Sequence, residues 1–182
     1  MKYLITNKQF NLLLESTEDK ILMFPDPDRI GGWNILQQLL EKKGNPRYGI
    51  RSDLNLRGSS VKSLGNLERV EGDLDLYDTS IKSLGNLEYA GGNLNLSYTP
   101  IESLGNLEHV GGYLNLTTTP IKSLGNLEYV GGFLNLYRTP IKSLGNLEYV
   151  GGDLFLEHTP ISKTTTKEEI RLKINVVGDI YF

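Results

Sequence analysis

The side chains with chemistry to offer in this chain are carboxylates and rings, and they recur at intervals of twenty residues. Asp53, Asp73 and Asp75 supply oxygen ligands of the kind a hard cation such as Ca²⁺ takes, and a carboxylate pair is what glycoside hydrolysis requires. Neither chemistry has its setting here. No loop carries the DxDxDG arrangement of a dedicated calcium site, and the Asp residues alternate with Leu in a pattern that makes an open strand face rather than a cleft. They read as a solvated acidic face. Cys is absent, which removes thiolate metal sites, Cys nucleophiles and disulfides, and the two His, His109 and His158, leave little for a zinc or histidine centre. With no nucleophile elbow, phosphate-binding loop or metal-ligand spacing, the expectation is a protein that is not an enzyme and holds no metal or cofactor.

The rings point elsewhere. Tyr77, Tyr113, Phe133, Tyr137, Phe155 and Tyr181 occupy outward positions of successive Leu-x-Leu segments, with Arg138 and His158 in the turns that follow. Aromatic side chains and Arg are enriched where proteins bind one another, and contiguous exposed aromatics commonly mark such a surface. These eight residues, with Asp73 and Asp75 steering a basic region of a partner, form the expected protein-binding site. The competing structural reading is cross-strand ring pairing, or burial of Phe155 and Tyr181 under a terminal cap. A second candidate surface is the column Arg69, Tyr89, His109, Tyr129 and Tyr149, whose rings are spaced to stack from unit to unit.

What positions these side chains is an internal repeat. Residues 53 to 72, 73 to 92, 93 to 112, 113 to 132 and 133 to 152 are five copies of one 20-residue unit without insertions, and a sixth, DLFLEHTPIS, starts at Asp153. Such regularity is the signature of a solenoid in which each unit packs on its neighbours. Within a unit, Leu74 and Leu76 alternate with Asp73, Asp75 and Tyr77, giving a short strand with both Leu inward. A turn at Thr79-Ser80 or Thr99-Pro100 follows. Ile81, Leu84 and Leu87 then recur every three residues, which suits a tight, partly 3₁₀ or extended return rather than an α-helix. Gly91-Gly92 is expected to supply positive φ on re-entry to the next strand. The string SLGNLE is identical in all five copies, whereas the outward strand positions and the turn after them differ.

The pattern LxLxxTxIxxLxxL over residues 53 to 161 resembles the leucine-rich repeats, which usually show LxLxxNxLxxL. Two departures stand out: Thr79, Thr99, Thr119, Thr139 and Thr159, with Ser59 in the first copy, replace the inward Asn, and Gly replaces a further Leu. The resemblance implies an α/β repeat fold, a short right-handed solenoid with one parallel sheet of about seven strands, the Thr hydroxyls standing in for the Asn hydrogen-bond ladder. A parallel β-helix is the alternative. SLGNLEYVGGDLNL-type strings and the opening MKYLIT are similar to short leucine-rich repeat proteins of large tailed bacteriophages. That likeness implies a host-directed role, such as inhibition of a bacterial host or defence protein. A structural or self-assembling virion accessory role and small-ligand capture are the alternatives.

Solenoid ends must be covered, and atypical segments flank the repeats. Residues 1 to 52 are expected to form a helical cap, with helices over Asn7 to Ser16 and from Trp33 through Leu40, a loop from Ile21 to Asp28 between them, and a stop at Gly44 and Pro46. Residues 162 to 182 are expected to add a helix over Lys167 to Ile174, capped by Thr166, and a seventh strand at Asp179 to Phe182. The chain has 19 Lys plus Arg against 22 Asp plus Glu, a net charge of -3, which gives no general pull toward nucleic acid. No apolar run approaches the ~20 residues that cross a bilayer, and no secretory leader is evident, so a cytoplasmic protein without membrane partners is expected.

Overall fold

The alternation of inward Leu and outward polar residues folds as read, in a computed structural model that describes residues 21–182. Leu54–Asn55, Leu74–Asp75, Leu94–Asn95, Leu114–Asn115, Leu134–Asn135, Leu154–Phe155 and Ile180–Tyr181 form one seven-stranded parallel sheet, here sheet I. Register is one repeat per step: Leu74 pairs with Leu94, Leu94 with Leu114, and Leu154 with Ile180 of the C-terminal segment. Coil therefore stacks on coil as a repeat solenoid.

A second sheet was not foreseen. The return segments also pair in parallel, through Tyr89–Ala90, His109–Val110, Tyr129–Val130 and Tyr149–Val150, and Leu22–Phe24, Tyr48–Ile50, Leu67–Val70 and Asn175–Val176 extend this sheet II to eight strands. The expected single sheet is thus two, facing each other across the Leu ladders. The reason is the Gly-Gly pair. Its glycines are not in the left-handed region. They are required because successive coils approach so closely that a Cβ on Gly111 would lie 2.1 Å from the Gly91 carbonyl oxygen, and one on Gly131 equally close to that of Gly111. That approach lets Gly91 and Gly111 donate backbone hydrogen bonds of 2.8 Å to Val70 and Ala90 of the coil before. Positive φ belongs instead to Gly85 and its equivalents Gly65, Gly105, Gly125 and Gly145.

Each coil contributes the same buried set, in the third coil Leu94, Leu96, Ile101, Leu104, Leu107 and Val110. The invariance of SLGNLE has a local cause. Ser83 Oγ accepts from Gly85 N at 3.1 Å, Gly85 turns the chain at φ 61°, and the flanking Leu84 and Leu87 are buried; Ser103, Ser123 and Ser143 repeat the contact. The Thr residues do not form a ladder between coils. Thr79, Thr99, Thr119, Thr139 and Thr159 each donate their hydroxyl to the carbonyl three residues earlier in the same coil, at 2.6 to 2.9 Å, so a buried hydroxyl is satisfied locally.

The N-terminal segment departs from the expected loop: Leu22–Phe24 is a strand paired with Tyr48–Ile50, and Pro27–Ile30 is a 3₁₀ turn capped by Asp26. Helix α1, Trp33–Glu41, buries Leu36 and Leu40 over the first coil. Below it Glu68, the one buried member of the repeated Glu column, is paired bidentately with Arg47, and the buried Tyr48 hydroxyl donates to the Leu64 carbonyl at 2.7 Å. The helix expected over Asn7 to Ser16 lies outside the described residues. At the other end helix α2, Lys167–Arg171, starts with a Thr166/Glu169 capping box. It is shorter than expected because Asn175–Val176 leaves to join sheet II. Among the described residues no helix is long and apolar enough to cross a membrane.

Candidate functional site

On the outer face of sheet I the polar residues of the early coils are committed to the backbone. Asp53 Oδ1 accepts from Asp73 N at 2.8 Å, Asp73 Oδ1 from Asn93 N at 2.7 Å, and Asn93 Oδ1 from Tyr113 N at 3.0 Å, a side-chain ladder running from coil to coil. In the next outward column Asn55, Asp75, Asn95, Asn115 and Asn135 each accept from the amide two residues on, as Asp75 does from Tyr77 N at 3.0 Å. Asp73 and Asp75, expected as free steering charges, therefore also hold the strand ends. Among the described residues no three Asp, Glu or His side chains gather to hold a metal ion.

Both columns are then interrupted by rings. Tyr113 and Phe133 take the places of the first ladder's Asp and Asn, and Phe155 and Tyr181 those of the second. None offers the short carbonyl oxygen that the backbone uses elsewhere. In exchange the four rings touch in sequence: Tyr113 and Phe133 stack at 4.7 Å, Phe133 meets Phe155 edge-on at 6.1 Å, and Phe155 stacks on Tyr181 at 5.0 Å. They are partly exposed, not buried under the cap. Carboxylates bound the row at both ends. Burial together with Asp73 and Asp75 pushes the Tyr113 hydroxyl above its ordinary pKa, and Asp153, with lesser parts from burial, Asp179 and Glu157, does the same at Tyr181.

The expected site residues separate into groups. Tyr77 sits toward the first coils, with the Arg57 guanidinium 3.8 Å from its ring centroid, Arg57 Nη1 3.7 Å from Asp75 Oδ2, and Tyr98 edge-on at 5.5 Å. Tyr113, Phe133, Phe155 and Tyr181 form the row above. Tyr137, Arg138 and His158 lie along its rim, the Arg138 guanidinium 5.1 Å and the His158 ring 5.3 Å from the Tyr137 ring. Arg57, Tyr98 and Glu157 were not singled out. Tyr98 announces itself only through its column, since Asp78, Tyr98, Thr118, Arg138 and His158 all have φ between 52° and 61°, where the first coil has Gly58. Non-glycine side chains rarely adopt this conformation, and here all five are exposed. The signal that could have found them is Gly58 itself, opening a column no later coil keeps as Gly.

The second candidate surface is a continuous stack on sheet II. Arg69 covers Tyr89 at 4.4 Å, and Tyr89, His109, Tyr129 and Tyr149 follow at 5.0, 4.4 and 4.8 Å with nearly parallel planes. Burial between two tyrosines lowers the His109 pKa. The column's rings stack as the Tyr113/Phe133 and Phe155/Tyr181 pairs do and are likewise partly exposed; what sets it apart is that it runs unbroken over four coils with the Arg69 guanidinium already covering its first ring. Cavities lie away from the four-ring row, one between the last coil and α2, lined by Leu144, Leu147 and Ile170, another beside Trp33 and Leu56. Comparison of the chain with protein-family models, with curated proteins and with solved structures gives no match.

Proposed function

We propose that this chain is a non-enzymatic protein-binding module, a short right-handed solenoid of the leucine-rich repeat kind, that engages one protein partner through the outer face of sheet I. The observation that carries this reading is the replacement of backbone-holding Asp and Asn by Tyr113, Phe133 and Phe155. The first column gives up its acceptors for partly exposed rings at Tyr113 and Phe133 and regains one at Asp153, whose Oδ1 accepts from Asp179 N at 2.8 Å, while the second gives up its acceptor at Phe155. The ring contacts offset part of the lost hydrogen bonding, and hot spots of protein interfaces are built from such rings. The likeness to short phage repeat proteins makes the partner a bacterial host or defence protein, the module its inhibitor, and the host cytoplasm its place of action.

The self-assembling reading is weakened by the C-terminal end. Arg171 donates through Nη1 to the Val176 carbonyl and through Nη2 to the Gly178 carbonyl, at 2.7 Å for the latter, occupying acceptors that a further strand would need.

The test is affinity capture from bacterial lysate with wild type and with the triple variant Tyr113→Asn, Phe133→Asn, Phe155→Asn. The Asn side chains restore both ladders, so the variant is expected to melt no lower than wild type while losing the partner. Capture of the same partner by both proteins would remove the sheet I face as the site.

A further inference from the structure

We infer that the segment docked on the four-ring row is a short extended polypeptide carrying arginine, recognised by ring faces and the carboxylates beside them. This rests on the reading that the outer face of sheet I binds a protein, and it names the chemistry of what is bound. The molecule shows the recognition unit within itself. Arg57 lies over Tyr77 at 3.8 Å with Asp75 at 3.7 Å, and Arg69 covers the end ring of the sheet II stack at 4.4 Å. The row from Tyr113 to Tyr181 has the same parts without the cation. Among the described residues no guanidinium or ammonium lies over its rings; the Lys167 ammonium is over the neighbouring Phe182, at 6.0 Å.

Carboxylates outnumber the cations near the row, which are Arg138 at its rim and Lys167 at Phe182. Asp73 and Asp75 lie beyond Tyr113, and Asp153, Asp179 and Glu157 lie around Phe155 and Tyr181. Glu157 Oε2 is buried and has no hydrogen-bond partner. Glu157 as a whole is only half-buried, so its charge is open to a cation from the exposed side, and a guanidinium is the group that stacks flat on a ring while donating in-plane to a neighbouring carboxylate. Lys, a strongly hydrated point charge, fits this arrangement less well. The row crosses three coil steps of ~4.8 Å, about 14 Å, which an extended segment of four or five residues covers.

The test uses fluorescein-labelled hexapeptides that differ only at two alternate positions: arginine, lysine or citrulline, the last having arginine's shape without its charge. Fluorescence anisotropy follows binding to the whole chain. The arginine peptide is expected to bind at least ~10-fold more tightly than the citrulline peptide and more tightly than the lysine peptide, and to weaken with added salt. Glu157→Gln, which keeps shape and removes charge, is expected to weaken it several-fold, and Phe155→Asn to abolish it. Equal affinity for arginine and citrulline peptides, indifference to both substitutions, or no saturable binding of the arginine peptide by about 1 mM would each overturn the inference. A partner that needs the rings for capture, yet is not displaced by the arginine peptide, would sink this inference and leave the protein-binding reading standing. Capture that survives the triple variant would sink that reading first.

Discussion

Thr118 has a branched Cβ and a φ of 56°, a combination that sterics penalise by about 1–2 kcal/mol. Asp78, Tyr98, Arg138 and His158 share the conformation, in a chain that puts Gly at the same place in its first coil. A scaffold built only for stability would keep Gly there, since the turn recurs unchanged. Thr118→Gly is therefore expected to stabilise the protein by roughly 0.5–1 kcal/mol, the relief of strain less the extra freedom of glycine in the unfolded chain. Thr118→Ala, which keeps a Cβ at the same φ, should gain nothing. Thermal melting of the three proteins decides the matter, and a glycine variant that melts below wild type would refute the strain argument. Applied at Arg138 or His158, the same change would raise stability while stripping the rim of the proposed binding face, which separates scaffold from the proposed function at single positions.

At the scale of the element, a coil is defined by where its backbone meets the next one. The outward columns can carry Asp, Asn, Tyr or Phe because side chains there have solvent on one side and can either reach the next coil's amide or stack as rings. The first Gly of each Gly-Gly pair has no such freedom. Gly131→Ala would set a methyl group 2.1 Å from the Gly111 carbonyl oxygen, and backbone cannot swing aside as a flexible side chain can. The expected cost is about 1–3 kcal/mol, as for other overpacking changes, read as a lower midpoint in urea unfolding. Gly125→Ala is the comparison: its site is open and its cost arises from φ alone. If both lost the same amount, close approach of coils would not be what holds Gly131. Glu71, which replaces the first Gly in the first copy, stacks on the N-terminal segment after Ile50 rather than on a repeat, whereas Gly91, stacked on Glu71, would already set a Cβ 2.3 Å from the Glu71 carbonyl oxygen. What the repeats show as tolerance is a difference of neighbour, not of need.

For the molecule as a whole, a stack of identical coils would grow without limit unless its ends were made unlike its middle. Helix α2 does this at the C-terminal end, where Arg171 satisfies the Val176 and Gly178 carbonyls at the margin of sheet II. Leu172 and Val177 are highly exposed close by, at 85% and 62%. Arg171→Ala is expected to free those acceptors beside apolar surface and to produce concentration-dependent association in sedimentation analysis, with little change in the melting of the repeats. A variant that stays monomeric across the concentration range would show that the end is protected by something other than this side chain. Charge is also distributed at this scale. A net charge of -3 is small, yet carboxylates stand at both ends of the ring row, so the basic segment proposed to dock there would meet a local field stronger than the average suggests.

The period of twenty, the inward Leu ladders, the outward columns and the capped C-terminal end were legible without coordinates because each follows from local parity and spacing. A strand alternates its faces every second residue, and a buried ladder needs an apolar side chain at the same place in each unit. The ring row and its rim were legible too, as variable positions within a constant frame. The second sheet, the purpose of Gly-Gly, the commitment of Asp73 and Asp75 to backbone amides, the left-handed rim and the unpaired Glu157 oxygen were not. All of these depend on how near residue i comes to residue i+20, or on which of two permitted φ values a turn adopts once its neighbours are stacked. Sequence alone determined that this chain is a repeat with one face free to vary; tertiary structure decided which side chains on that face are already engaged in holding the coils, because backbone hydrogen bonds are allotted only when the coils meet.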